Sequence, residues 1–281
     1  MENVIISNPS KLNELKKKFK EGGIEKIHVI SDFDRTLTKA FVNGEKIPSL
    51  ISILRDGDYL TKDYAKKAHA LFDKYHSIEI DPKISLEEKK KAMEEWWRYH
   101  FKLLIKSGLN KKDLKNVVDS GKLKFRKDTF EFLDFLNKNK IPLVILSSAG
   151  LGGDSISLFF EKEKKLSKNV HIVSNSYEWD KDDNAISVKE PLIHSFNKTE
   201  MILNKFPFFN EIKDRKNVLL LGDGIGDLGM IEGFEYDNLI KIGFLNENID
   251  ENMEVYKKNF DIVILNDSDM RYVNKIIKEI I

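Results

Sequence analysis

Short, nearly continuous apolar runs punctuate the chain. They fall at Ile27, Val29 and Ile30, then at 142–148 (PLVILSS), 170–175 (VHIVSN), 217–223 (NVLLLGD), 239–245 (LIKIGFL) and 260–267 (FDIVILND). Runs this short and this apolar suit strands covered on both faces. With helical stretches between them, they predict a mainly parallel sheet in an α/β fold. Ahead of the first run, Leu12, Leu15 and Phe19 recur at helical spacing over residues 9–21 until Gly22-Gly23 stops them. That spacing predicts a helix leading into a buried strand.

The long interval between the first and second runs has helical character throughout. Thr61 is a candidate cap for a helix bearing Tyr64, Ala68, Leu71, Phe72 and Tyr75. Ser85 and Glu88 form a capping-box pattern ahead of a long helix with Ala92, Met93, Trp96 and Leu103 on roughly one face. Asn110 opens a third helix with Leu114 and Val118. Residues 46–126 therefore read as a helical insertion into a core formed by 1–45 and 127–281. The lysine clusters at 16–20 and 89–91 read as solvated helix faces.

Composition narrows the class. The 281 residues are 41% hydrophobic and 10% aromatic, which argues for a globular chain although 33% of residues are charged. Lys+Arg at 47 against Asp+Glu at 46 leaves a formal net charge of +1, so no bulk charge favours coating a nucleic-acid polymer. The absence of cysteine excludes disulfides, thiolate metal sites and a cysteine nucleophile. No apolar stretch approaches the roughly 18 residues of a membrane span, and no secretory leader pattern opens the chain. The expectation is a soluble, cytoplasmic monomer.

In an open parallel sheet, ligands gather beyond the carboxyl ends of the strands, and chemistry-bearing residues collect there. The first strand ends in DFDRTLT, which places Asp32 and Asp34 two residues apart. In extended backbone the two share a face, and a turn would splay them. Close carboxylates repel, and a cation or a raised pKa relieves them. After the second strand, Ser148, Ala149 and Gly150 bring a hydroxyl and a backbone that a ligand can approach. GDGIGD supplies Asp223 at a strand end and Asp227 four residues on, and Lys198 sits near the start of a further helix. Singly, these residues read as a polar loop, a turn, an N-cap and a surface lysine. Together they match the needs of phosphomonoester chemistry: a nucleophile, hydrogen-bond donors for phosphate oxygens and cationic neutralisation.

With those residues assembled, the chain resembles the haloacid dehalogenase superfamily of phosphohydrolases, and more narrowly the cytosolic 5′-nucleotidase III (pyrimidine 5′-nucleotidase) family. The resemblance runs from about residue 24 to the C-terminus. It is carried by DFDRTLT, SSAG and LLLGDGIGD and by SIEIDP (77–82), EEWW (94–97), LIHSFNK (192–198) and IKIGFLNENID (240–250). It implies a Rossmann-like core with an inserted α-helical cap, and Mg²⁺-dependent hydrolysis of nucleoside monophosphates. It further implies that Asp32 is the nucleophile and Asp34 the acid/base. Asp32, the Asp34 carbonyl and Asp223 would hold Mg²⁺, with Asp227 organising the metal's surroundings. Ser148, Ala149 and Lys198 would bind phosphate. Glu79 matches a base-contacting glutamate, and Trp97 a position where the family has an aromatic residue near the base, whereas Trp96 reads as core. His100 departs from the serine expected at that position.

The core motifs handle only the phosphate, so a phosphatase for phosphoserine or a sugar phosphate is the competing enzyme reading. A phosphorylation-controlled receiver or another non-catalytic phosphate-binding module is the competing reading from a different class. The DxD spacing, with its built-in acid/base, and the long helical insertion oppose it. Tryptophan at 97 favours a cationic base such as 7-methylguanine over what tyrosine would give. Transfer of phosphate to an alcohol acceptor is open to any aspartyl-phosphate chemistry.

Overall fold

The computed structural model describes residues 3–47, 49–81 and 83–281, with the backbone alone at 200–202. Its framework is a sheet of β1 (Val4–Ile6), β2 (Ile27–Ser31), β5 (Leu143–Leu146), β6 (Val170–Val173), β9 (Asn217–Gly222), β10 (Asn238–Leu245) and β11 (Ile262–Leu265). The spatial order is β1-β11-β10-β9-β2-β5-β6, and every pairing is parallel except that of β1 with β11. Each apolar run of the sequence supplies one parallel strand. β1 escaped the pattern because three residues at an antiparallel edge are too few to show a period.

Alternation along the strands divides the core in two. Val29, Leu143, Ile145, Leu219 and Leu221 join a cluster on one face, while Ile30, Val144, Leu146, Val218 and Leu220 join a second cluster on the other. Both faces of the central strands are thus buried, which is why those runs are apolar at every position. The covering helices include α1 (Pro9–Gly22), α6 (Thr129–Lys138), α7 (Gly153–Lys162), α9 (Ile249–Asn259) and α10 (Arg271–Glu279), with a single turn, α8 (Phe209–Ile212), between them.

After β2 the chain forms a small hairpin of β3 (Phe41–Val42) and β4 (Glu45–Lys46). The helices α2 (Leu50–Asp56), α3 (Tyr64–Ile80), α4 (Leu86–Lys106) and α5 (Lys111–Asp119) follow. Ser85 caps α4 and Asn110 caps α5, each closing a capping box with the residue three on, Glu88 and Asp113. Thr61 does not cap α3. The N-cap is Asp63, and the Thr61 hydroxyl instead donates to the Asp63 carboxylate at 3.0 Å. Tyr75, Met93 and Trp96 form a separate small core between α3 and α4, with Phe196 of the main body packed on it. A second hairpin, β7 (Tyr177–Trp179) with β8 (Ala185–Val188), packs on α4. No helix among the described residues is long and apolar enough to cross a membrane.

Candidate active site

Register sets the site. Ser31 at the end of β2 pairs with Leu221 of β9 on one side and Ile145 of β5 on the other, so Asp32, Asp223 and Ser148 emerge from three adjacent strands. Asp32 is buried, and its amide donates to the Leu221 carbonyl. Beyond it the chain folds into a tight turn in which the amides of Leu37 and Thr38 return to the Phe33 carbonyl and Arg35 adopts a left-handed φ of 60°. In this turn a buried Asp34 carboxylate oxygen has no hydrogen-bond partner among the described residues.

Lys198 lies beneath this turn, buried. Its Nζ donates to Asp32 Oδ1 at 2.6 Å and to Asp227 Oδ1 at 3.1 Å. Asp227 turns its second oxygen to the amides of Asp223 and Gly224, each at 3.0 Å. This tuck requires Gly222, because a Cβ there would stand 2.5 Å from Asp227 Cβ. The sequence predicted regular helices after Lys198 and after GDGIGD; both are 3-10 turns, Glu200–Lys205 and Ile225–Ile231. The tighter winding lets Asp227 reach back to the strand end.

The electrostatics follow from burial of like charges. Burial pushes Asp32 up to about 6, with the charge of Asp227 adding to the rise and the Lys198 ammonium opposing it. Burial, then the charge of Asp32, holds Asp34 well above the carboxylate range. Asp223 rises to about 7, again chiefly by burial and against the pull of Arg35. Lys198 is held fully protonated: its two carboxylates outweigh the desolvation that disfavours its charge.

Asp32, Asp223 and Asp227 each offer a carboxylate oxygen, all within 4.8 Å of one another. An all-oxygen, anionic donor set of this kind fits Mg²⁺. Asp227 has both oxygens engaged by Lys198 and the two amides, and Asp32 accepts from Lys198 at 2.6 Å and weakly from Thr36 Oγ1 at 3.4 Å, so Asp223 is the freest donor of the three.

The rest of the site is built by the helical insertion. A cavity of about 260 Å³ runs from Arg35 and Gly150 to Phe72, His76, Trp96 and Trp97. Glu79, next to the lining residue His76, accepts from Ser195 Oγ at 2.7 Å and pairs with His76 Nδ1 at 3.1 Å. Burial alone would raise Glu79; the bonds from His76 and Ser195 and the charge of Lys198 hold it below its usual value. Glu79 is therefore a fixed, ionised acceptor rather than a solvated surface acid. Pro82 of the SIEIDP stretch lies outside the described residues. Trp96 is buried as core, and Trp97 is half-buried with its indole N–H unpartnered. His100 donates from Nε2 to the Gly150 carbonyl at 2.8 Å, tying α4 to the turn that carries Ser148 and Ala149. Ser148 is partly exposed at the cleft and Ala149 is buried behind it.

Sequence reasoning did not single out Arg126. Its guanidinium is fully buried and donates to the Thr36 carbonyl at 2.7 Å, to the Arg35 carbonyl, to Asn246 Oδ1 at 2.7 Å, and to Asp267 Oδ1 and the Ser268 carbonyl at 2.9 and 2.8 Å. It clamps the turn that follows Asp32 to two loops far along the chain. The side chain of Arg35 in turn meets Asp223 at 3.4 Å and Glu247 at 2.6 Å.

Set beside known proteins, residues 35–281 match the sequence profile of the pyrimidine 5′-nucleotidase (UMPH-1) family. The chain is 34% identical to the 7-methylguanosine phosphate-specific 5′-nucleotidase of Mus musculus, over 99% of its own length and 92% of that protein. With 7-methylguanosine phosphate-specific 5′-nucleotidase A of Xenopus laevis it shares 36% identity over 98% and 94% of the two chains. The chain belongs to the pyrimidine 5′-nucleotidase family. A crystal structure of cytosolic 5′-nucleotidase IIIB bound to cytidine superposes with a TM-score of 0.90 at 28% identity, covering 100% of this chain and 94% of that one. A phosphoserine phosphatase superposes with a TM-score of 0.53 at 17% identity, covering 89% of this chain and 97% of that one, a likeness of fold alone. The protein is a 5′-nucleotidase, a phosphomonoester hydrolase with a Rossmann-like core.

Proposed function

We propose that the protein hydrolyses pyrimidine nucleoside 5′-monophosphates such as CMP and UMP, and 7-methyl-GMP as an alternative substrate, in a Mg²⁺-dependent reaction through an aspartyl phosphate on Asp32. The observation that carries this reading is the buried Asp32–Lys198–Asp227 chain, with an aromatic cavity that begins at Arg35, in the same turn as Asp34, and the ionised Glu79 beside that cavity's His76. Asp32 attacks phosphorus. Asp34, held protonated, gives its proton to the departing 5′-oxygen and then takes one from the water that cleaves the acyl phosphate. Lys198, Ser148 and the amide of Ala149 carry the phosphate oxygens. Asp32, the Asp34 carbonyl and Asp223 would hold Mg²⁺, which when bound offsets the negative charge of phosphate and carboxylates together. Asp227 keeps Lys198 and the Asp223 amide in place.

Residues 46–126 act in this reading as the cap that supplies the base site, with core segments 1–45 and 127–281 supplying the chemistry. Glu79 accepts from an exocyclic amine, as on cytosine, and Trp97 stacks on the base. The relatives' names support both substrate classes: one set is specific for 7-methylguanosine phosphate, and the matched family is that of pyrimidine nucleotidases. A cytoplasmic location is supported by a relative in Caenorhabditis elegans named putative cytosolic 5′-nucleotidase 3, and the reading takes the enzyme to be a monomer.

The test is phosphate release from CMP, UMP, 7-methyl-GMP, AMP, phosphoserine and glucose 6-phosphate, with Mg²⁺ or EDTA. Release confined to nucleotides and abolished by EDTA is expected. Release mainly from phosphoserine or glucose 6-phosphate would overturn the reading of the cap.

A further inference from the structure

The cavity that takes the base in the nucleotidase reading holds a charge that reading does not use. Because phosphate chemistry sits at the Arg35 and Gly150 end, a base bound there reaches toward Phe72 and Trp97. Arg55, from α2, lies at that far end with its guanidinium carbon 4.6 Å from the centre of the Phe72 ring. Its side chain is only 16% exposed.

Other basic residues of the wall have acidic partners beside them. Arg35 and Lys46 both bind Glu247, at 2.6 and 2.9 Å, and His76 is paired with Glu79. The carboxylate beside Arg55 is its neighbour Asp56, at 3.4 Å, which is 56% exposed and shared with His69 at 3.2 Å. A solvated, shared carboxylate screens the inner side of a guanidinium poorly. The charge is felt across the cavity: burial does most to keep His100 neutral, and Arg55 pushes in the same direction.

We propose that Arg55 is a specificity-determining residue that disfavours a cationic base and turns this cavity toward neutral and anionic ones. The proposal rests on the nucleotidase reading only in assuming that the base occupies the cavity. A 7-methylated guanine carries a positive charge that guanine and the pyrimidines lack. Brought against this aromatic wall, it meets a guanidinium already occupying the Phe72 face, and like charges in a partly desolvated pocket repel. Trp97 pulls the other way, and Arg55 sets the balance in this chain.

The comparison pair is 7-methyl-GMP and GMP, which differ by one methyl group and its charge. The ratio of their kcat/KM values should rise about tenfold in Arg55→Gln and stay within about twofold of wild type in Arg55→Lys, which keeps the charge. The Kd ratio of 7-methylguanosine to guanosine, read by quenching of tryptophan fluorescence, should shift by the same factor without any hydrolysis. An Arg55→Gln ratio equal to wild type, or the same rise in Arg55→Lys, would overturn the role of Arg55 and leave the nucleotidase reading intact. If the Kd ratio shifts as expected while no nucleotide is hydrolysed, Arg55 stands and the nucleotidase reading falls. Failure of both nucleosides to bind would overturn both.

Discussion

Lys198 Nζ stands 2.6 Å from Asp32 Oδ1, with both side chains buried. In the proposed mechanism the contact keeps a buried carboxylate available as a nucleophile, because the adjacent ammonium offsets part of the cost of ionising it. The same ammonium can bind a phosphate oxygen when substrate arrives. Lys198→Met should lower kcat/KM for CMP by about 10²- to 10³-fold, the range found for loss of a transition-state donor. It should also lower the thermal midpoint, since Asp32 and Asp227 then face each other without a counter-charge. Steady-state kinetics and thermal unfolding of the purified variant check both.

Asp223 and Asp227 should separate in their response to Mg²⁺. Asp227 is bound to Lys198 and to two amides, whereas the Asp223 carboxylate meets, among the described residues, the Arg35 side chain at 3.4 Å. Asp223→Asn should raise the Mg²⁺ concentration for half-maximal activity by more than about tenfold. Asp227→Asn should act chiefly on kcat, by about 10- to 100-fold. Calorimetric Mg²⁺ titration of each variant distinguishes the two; equal loss of affinity in both would contradict the division of roles.

Arg126 was invisible in the sequence for a physical reason: a lone arginine carries no periodicity, and its partners at 35–36, 246 and 267–268 meet it only through the fold. The strands, by contrast, were legible because burial on both faces forces uninterrupted apolar runs, and the capping boxes at Ser85 and Asn110 because they are local. The site carboxylates were legible because strand ends in a parallel sheet converge. The hairpins β3–β4 and β7–β8 were not, being short and half exposed. Neither were the 3-10 turns after Lys198 and Gly224, which tertiary contacts impose.

Arg126→Met should therefore destabilise the protein by about 3 to 5 kcal/mol, because it leaves the Asp267 carboxylate and several carbonyls buried without donors. Arg126→Lys keeps the charge but not the fork, and should fall between. Urea denaturation measures both. At temperatures where the Lys variant is folded, its kcat should drop more than its KM rises, since the clamp orders the turn of Asp34 rather than the cap.

Acid should weaken the fold through two histidines. Burial holds His100 down to about 4 and His194 likewise to about 4, and His194 Nδ1 accepts from the Phe196 amide at 3.2 Å, a bond that protonation there breaks. Unfolded histidine binds its proton near 6.5. The stabilisation is thus fully present above that value, is lost as pH falls from about 6.5 to about 4, and levels off below. For His100 it amounts to about 3 kcal/mol at most. The raised carboxylates act with the opposite sign, so the informative quantity is the difference between wild type and His100→Gln. That difference, from urea midpoints between pH 7.5 and 4.5, should change in the variant's favour as pH falls.

Asp32 as the covalent nucleophile is tested most directly by trapping. Wild type and Asp34→Asn would be mixed with 5′-[³²P]CMP and Mg²⁺, quenched in acid, reduced with borohydride and mapped by peptide mass. The account predicts acid-stable label on protein and homoserine in place of aspartate at position 32, with label that forms more slowly in Asp34→Asn and, once formed, is lost more slowly, because that variant lacks the acid of the first step and the base of the second. Full turnover by Asp32→Asn, or the modification at any other residue, would contradict it.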